Sequence, residues 1–134
     1  KGFAERLVRH DLTVTPYPFG DASIDHVIST GVFQFFSDLD SIFNEVARIL
    51  PDGGMFAFIT WDRTPGETPE IVAGPEQTGT DESVTMFLHT QRQVACWLEK
   101  NGFRLESSQQ FTVWMDELHT KELPALAYLA QKRG

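Results

Sequence analysis

The sequence is expected to fold as a single α/β domain with a mainly parallel sheet. Three observations predict this. Apolar segments alternate along the chain in the order strand, helix, strand, helix, strand. The segment "SDLDSIFNEVARILPDGG" (37–54) places Leu39, Ile42, Phe43, Val46 and Leu50 on one face of a helix. The run "MFAFIT" (55–60) is continuously apolar, as befits a central parallel strand covered on both faces.

The first strand of this rhythm is "RLVRHDL" (6–12). A loop follows at "TVTPYPFGDAS" (13–23), which holds two prolines and a Gly-Asp pair. "IDHVIS" (24–29) reads as a buried strand that ends abruptly in Ser29-Thr30-Gly31. In the helix of 37–54, Ser37 can cap the start, with Asp40 three residues on in the capping-box position. Pro51 and Gly53-Gly54 stop it. Residues 61–83 break the pattern with three prolines, three glycines and several acids, and read as a long loop or lid. "TQRQVACWLEKNG" (90–102) is a second amphipathic helix, with Val94, Trp97 and Leu98 inward and Gly102 at its end. "FRLESSQQFTVWM" (103–115) and "PALAYLAQKR" (124–133) read as two last strands able to pair antiparallel. There is no internal repeat.

Composition narrows the function. The chain has 134 residues, 41% of them hydrophobic, enough for one core. No apolar run approaches the ~20 residues of a membrane span, and the start has no signal-peptide pattern. The formal charge is −8 and the eleven basic residues are scattered, which argues against a nucleic-acid surface. A single cysteine, Cys96, excludes an internal disulfide and any Cys-pair metal motif, and reads as a small core residue. No metal site is expected, and the simplest context is the reducing cytoplasm.

Ligands of such folds bind beyond the carboxyl ends of the strands. Asp11-Leu12, Ser29-Thr30-Gly31 and Thr60-Trp61-Asp62 all fall at such ends and are expected to line one crevice.

The order of motifs resembles a known family. Asp11, "YPFGDASIDHV", "STGVFQF", "NEVARILPDGG" and "LEKNGFRLES" follow one another as in the second half of class I S-adenosylmethionine-dependent methyltransferases of the small-molecule type. The resemblance implies a partial Rossmann-like sheet, strands 3–7 of a seven-stranded sheet in the order 3-2-1-4-5-7-6, with strand 7 antiparallel. Strands 1 and 2 and the glycine-rich loop are absent, and no G-x-G-x-G occurs in the chain. The 134 residues are therefore expected to be one incomplete domain, the C-terminal part of a longer protein or one completed by a second chain. The unflanked strand 24–29 leaves an apolar edge that invites pairing, including a homodimer.

The resemblance also carries roles to positions. Asp11 takes the place that binds the adenine amino group, and Leu12 borders the ring. The plain alternative for Asp11 is a turn cap before Thr13. Ser29, Thr30 and Gly31 match the segment beside the methionine part of S-adenosylmethionine. Gln34 stands where many relatives have a histidine facing cofactor or substrate; glutamine can bond there but is no base near neutral pH. Trp61 and Asp62 sit at the crevice lip as substrate candidates. Phe33, Phe35 and Phe36 read chiefly as core. His89 and His119 read as structural or solvated, and no catalytic residue is assigned. Methyl transfer from a sulfonium asks mainly for orientation and desolvation. Two functions follow. One is methyl transfer to a small-molecule acceptor, with this chain carrying part of the cofactor site. The other is a non-catalytic methyltransferase-like dimerisation or scaffold module.

Overall fold

The computed structural model describes residues 8–62, 70–73, 84–114 and 122–133. Strand β1 (His26–Ser29) leads through a 3-10 turn (Phe33–Phe35) into helix α1 (Asp40–Ile49), then strand β2 (Met55–Trp61). Strands β3 (Glu70–Ala73) and β4 (Val84–Phe87) precede helix α2 (Gln91–Lys100). Strands β5 (Phe103–Trp114) and β6 (Glu122–Lys132) close the chain. The main sheet has the order β1-β2-β6-β5. This matches the 4-5-7-6 part of the expected order.

Only β1 and β2 pair in parallel, from His26↔Met55 to Ser29↔Phe58. β6 runs antiparallel to both of its neighbours. β5 consequently runs in the same direction as β1 and β2, so the sheet is mainly parallel in strand direction, with only β6, the expected antiparallel last strand, reversed. With two of the three pairings antiparallel, the one parallel pairing is a single βαβ unit.

Helix α1 buries the face that its spacing predicts. Leu39, Phe43 and Leu50 are fully buried, and Ile42 and Val46 nearly so. Phe43 packs edge-on against Phe56, Phe58 and Trp97, with centroids 5.1–6.3 Å apart. Full burial of such a ring contributes about 2–3 kcal/mol. The cap differs from expectation. Leu39, not Ser37, is the N-cap residue and makes no side-chain bond. Asp38 Oδ1 instead accepts the Asp40 N–H at 2.8 Å, which puts a negative charge beside the helix start. The Asp40 carboxylate accepts from Lys100 Nζ at 2.8 Å and Asn101 Nδ2 at 3.0 Å, tying α1 to the end of α2. α2 opens with a full capping box: the Gln93 N–H donates to Thr90 Oγ1 and the Thr90 N–H to Gln93 Oε1.

Four other expectations are corrected. Residues 8–12 form no strand; Leu12 lies in a turn, and residues 6 and 7 lie outside the described residues. β2 is not covered on both faces. Phe56, Phe58 and Thr60 are buried against the helices, while Met55, Ala57 and Ile59 are only half-buried. β1 is not buried: it lies at the sheet edge among the described residues, as its lack of a flanking strand leads one to expect, and Ile28 is 77% exposed on the face away from the helices. Cys96 is exposed on α2. Within 61–83, residues Glu70–Ala73 are strand and pair antiparallel with Val84–Phe87. The rest of the expected lid, 63–69 and 74–83, lies outside the described residues, as does His119.

Candidate functional site

The parallel pairing of β1 with β2 sets the geometry where the crevice is expected. Both carboxyl ends point the same way, and Ser29 is level with Phe58. β2 therefore continues three residues, about 10 Å, beyond the end of β1. Trp61 and Asp62 rise above the turn that follows Ser29.

That turn is shaped by its glycine. Gly31 has φ +70°, and among the described residues a Cβ there would meet no atom within 4 Å, so open space lies beside it. Gln34 Nε2 donates to Gly31 O at 3.0 Å and locks the turn. Ser29 is half-buried and Thr30 exposed. Gln34 itself is buried, with one of its two amide hydrogens used within the turn. Phe33 belongs to the core, as expected, whereas Phe35 is 48% exposed.

At the end of β2, the Asp62 N–H donates to Pro124 O at 2.8 Å, and Asp62 is buried. His89, for which a structural or solvated role is expected, proves fully buried and links three elements. Its N–H donates to Trp61 O at 2.8 Å, and its Nε2 bonds Phe36 O at 2.8 Å. Its ring stands edge-on to Trp97, with centroids 5.7 Å apart. Burial lowers its pKa below the ordinary value, against the pull of the Phe36 and Ser37 backbone. The imidazole is neutral near pH 7.

Two further residues are Thr60, which the sequence places at this strand end without a role, and Tyr128, which sequence reasoning missed. Both are buried on the helix-facing side of the sheet. Among the described residues Thr60 Oγ1, Tyr128 Oη and His89 Nδ1 have no hydrogen-bond partner. Thr60 and Tyr128 lie near one another, but neither hydroxyl reaches bonding geometry. Burial pushes the Tyr128 hydroxyl up to about 12, and the charge of Asp62 adds to the effect. The signal available in the sequence was weak: a threonine and a tyrosine each interrupting an otherwise apolar strand.

Asp11 and Leu12 sit apart, on the Pro-rich loop. Asp11 is exposed, and its Oδ1 accepts both the Thr13 N–H at 2.9 Å and Thr13 Oγ1 at 2.8 Å. The turn-cap geometry is therefore present. These bonds, led by the backbone one, hold its pKa below the usual carboxylate range. Because both fall on Oδ1, the other oxygen can accept from an external donor. Leu12 packs against the core, and its carbonyl accepts from Tyr17 Oη at 2.9 Å. Among the described residues no hydrogen bond joins 11–12 to 29–31.

Among the described residues no cluster of three or more His, Cys, Asp or Glu is arranged to hold a metal. No helix among them is long and apolar enough to cross a membrane.

The sheet order and the βαβ unit match part of a Rossmann-like methyltransferase sheet. Residues 3–58 match the family described as "Methyltransferase domain". The chain is 32% identical over 92 residues to a malonyl-[acyl-carrier protein] O-methyltransferase of Geobacter sulfurreducens, a match that covers 65% of this chain and 34% of that protein. In fold it is similar to an S-adenosylmethionine-dependent methyltransferase of Methanosarcina mazei. There the TM-score is 0.75 at 16% identity, over 92% of this chain and 65% of that one. It is also similar to the 1,6-didemethyltoxoflavin-N1-methyltransferase of Burkholderia thailandensis, solved with 1,6-didemethyltoxoflavin and S-adenosylhomocysteine. That TM-score is 0.59 at 17% identity, over 86% and 46% of the two chains. The chain thus spans about a third of the curated relative's length, 34%, and less than two thirds of both solved chains.

Proposed function

We propose that this chain is the C-terminal part of an S-adenosylmethionine-dependent methyltransferase acting on a small molecule, and that it supplies one side of the cofactor site. The observation that carries this reading is the parallel β1–β2 pair with an open-sided Gly31 turn at its carboxyl end. That open space fits a ligand passing close to backbone. Asp11, with one carboxylate oxygen available, suits an exocyclic amine. Together with Leu12, Ser29 and Thr30 these residues form the proposed cofactor side. Gln34, Trp61 and Asp62 form the proposed acceptor side.

The bound cofactor would supply an electrophilic methyl on sulfur. The protein's share is orientation and exclusion of water. Gln34 holds the turn through Gly31, and His89 holds the turn's far end to β2. Trp61 and Asp62, at the carboxyl end of β2, are the residues proposed to meet the acceptor. Tyr128, kept protonated by burial, and neutral His89 add no charge at the sheet end. A small acceptor is supported by the similar structure solved with 1,6-didemethyltoxoflavin, whereas the malonyl group named for the other relative is carried on an acyl-carrier protein.

The second reading, a non-catalytic scaffold or dimerisation module, is favoured by the exposed β1 edge and Ile28. Titration with S-adenosylhomocysteine, followed by amide shifts in 15N-labelled chain, separates the two. Shifts at 11–12 and 29–31 are expected for the enzyme reading. Shifts that grow with protein concentration alone, confined to 26–29, would sink it in favour of self-association.

A further inference from the structure

We infer that Tyr17 and Glu45 are positioning residues that hold the Asp11–Leu12 segment on helix α1. The inference rests on the proposed reading of that segment as the adenine side.

The loop from Leu12 to Ser23 contains no strand or helix and would have no fixed position of its own. Its anchorage comes from one turn of α1. Glu45 is 6% exposed, an unusual burial for a carboxylate. Its Oε1 accepts the Tyr17 N–H at 2.7 Å and Arg48 Nη2 at 2.9 Å, and its Oε2 accepts Arg48 Nε at 3.0 Å. Arg48 then donates to Tyr17 O at 3.2 Å and, through Nη1, to Asp21 Oδ1 at 2.7 Å. The Arg48 carbonyl accepts the Ala22 N–H at 2.9 Å. Both halves of the loop are stitched to the same two helix residues.

From that anchor the tyrosine ring reaches back. Tyr17 is 7% exposed, its ring packs edge-on to His10, and its hydroxyl donates to Leu12 O at 2.9 Å. Burial pushes the hydroxyl's pKa up to about 12, so it remains a donor at any working pH. The connection therefore runs from Glu45 to the Tyr17 backbone, along a rigid ring, to the Leu12 carbonyl. The Val14 N–H closes the turn on Asp11 O at 3.0 Å.

Stability alone does not account for this arrangement. The pair is only partly buried, with Arg48 26% exposed beside Glu45, and such an ion pair adds modestly to stability. What a bidentate, fully bonded pair adds is fixed geometry. Here the geometry it fixes is the place of residues 11–12 relative to α1. The same helix follows directly from the Gly31–Phe36 turn. One helix thus sets the spacing of two segments that, among the described residues, no hydrogen bond joins.

The test uses the 134-residue chain and Tyr17→Phe, which removes one hydroxyl and leaves the Glu45–Arg48 bonds in place. Exchange of the Val14 and Thr13 amide hydrogens is expected to quicken about fivefold, as for the loss of one hydrogen bond. Amides of α1 and β2 should not change, and the melting temperature should barely move. Adenosine should bind about fivefold more weakly, in step with that lost bond, while methionine binding stays the same. Glu45→Gln should act in the same direction. Unchanged exchange at Val14 in Tyr17→Phe would overturn the positioning role whatever the ligand does. Faster exchange with undiminished adenosine affinity, or no adenosine binding by the parent chain, would overturn the proposal at the other link, because residues 11–12 would then not be the adenine side.

Discussion

His89 donates its Nε2–H to the carbonyl oxygen of Phe36 across 2.8 Å, between two elements that lie 53 positions apart in the sequence. The bond fixes the tautomer, with Nδ1 unprotonated and buried. Because burial lowers the folded-state pKa, the unfolded chain takes up this proton at higher pH than the folded chain. In the interval between the two values the unfolded state binds more protons, so stability rises with pH there. His89 should contribute fully above about pH 6.5 and lose ground as pH falls through that value. Urea unfolding from about pH 8 to about pH 5 should show this slope, and His89→Gln should flatten it. Glu45 acts in a lower window. Its folded pKa is held down, first by the Arg48 bonds, so its contribution disappears only below the ordinary glutamate range.

Two glycines separate backbone strain from steric clash. Gly31→Ala meets open space but must hold φ +70°, and should cost about 1–2 kcal/mol. Gly54→Ala has an ordinary φ, yet its Cβ would sit 2.9 Å from Asp25 O and 3.0 Å from Pro51 O, both backbone atoms. It should destabilise more than Gly31→Ala. Thermal unfolding of the two variants side by side checks the order.

Tyr128→Phe removes a buried hydroxyl that has no partner among the described residues. Removing an unsatisfied buried polar group is neutral or stabilising. Denaturant midpoints should therefore stay level or rise. A drop of roughly 1 kcal/mol, the worth of one hydrogen bond, would show that the hydroxyl is bonded in solution.

Ile28→Lys tests the exposed edge. Ile28 stands 77% exposed on the strand whose outer side has no partner among the described residues. A charge there should suppress strand-to-strand association. Light scattering should give a lower mean mass for the variant at high concentration if the parent self-associates. Equal masses, both monomeric, would remove the edge from consideration as a dimer surface.

Periodicity made α1 and α2 legible in advance, because each buries one face, and β5 and β6 were legible as two last strands joined by a short polar link, although β5 is exposed from Arg104 to Thr112. The run 55–60 misled about its surroundings, since continuous apolarity states that a strand is apolar, not that both faces are covered. Val8 and Leu12 gave the first segment a strand-like look. A strand needs a neighbour, however, and among the described residues the sheet offers none on that side. Of the candidate site, Gly31 and the β2 end were legible as small or abrupt residues at strand termini. The Glu45–Tyr17 bond was not, because 28 positions separate partners whose meeting depends on the folded loop. His89 was undervalued for the same reason: its partners, Phe36 and Trp61, are assembled only by the sheet.

The placement of β6 has a consequence for synthesis. β6 lies between β2 and β5, yet it is the last of the four strands to leave the ribosome. Until Glu122–Lys132 has emerged, β2 has, among the described residues, only the four residues of β1 beside it in the sheet, and β5 has no neighbour there. Docking late onto β2, with α2 and β5 already made in between, is slow compared with local pairing. The nascent chain would therefore wait with its phenylalanine-rich face half-covered, the interval in which a chaperone or a protease would meet it.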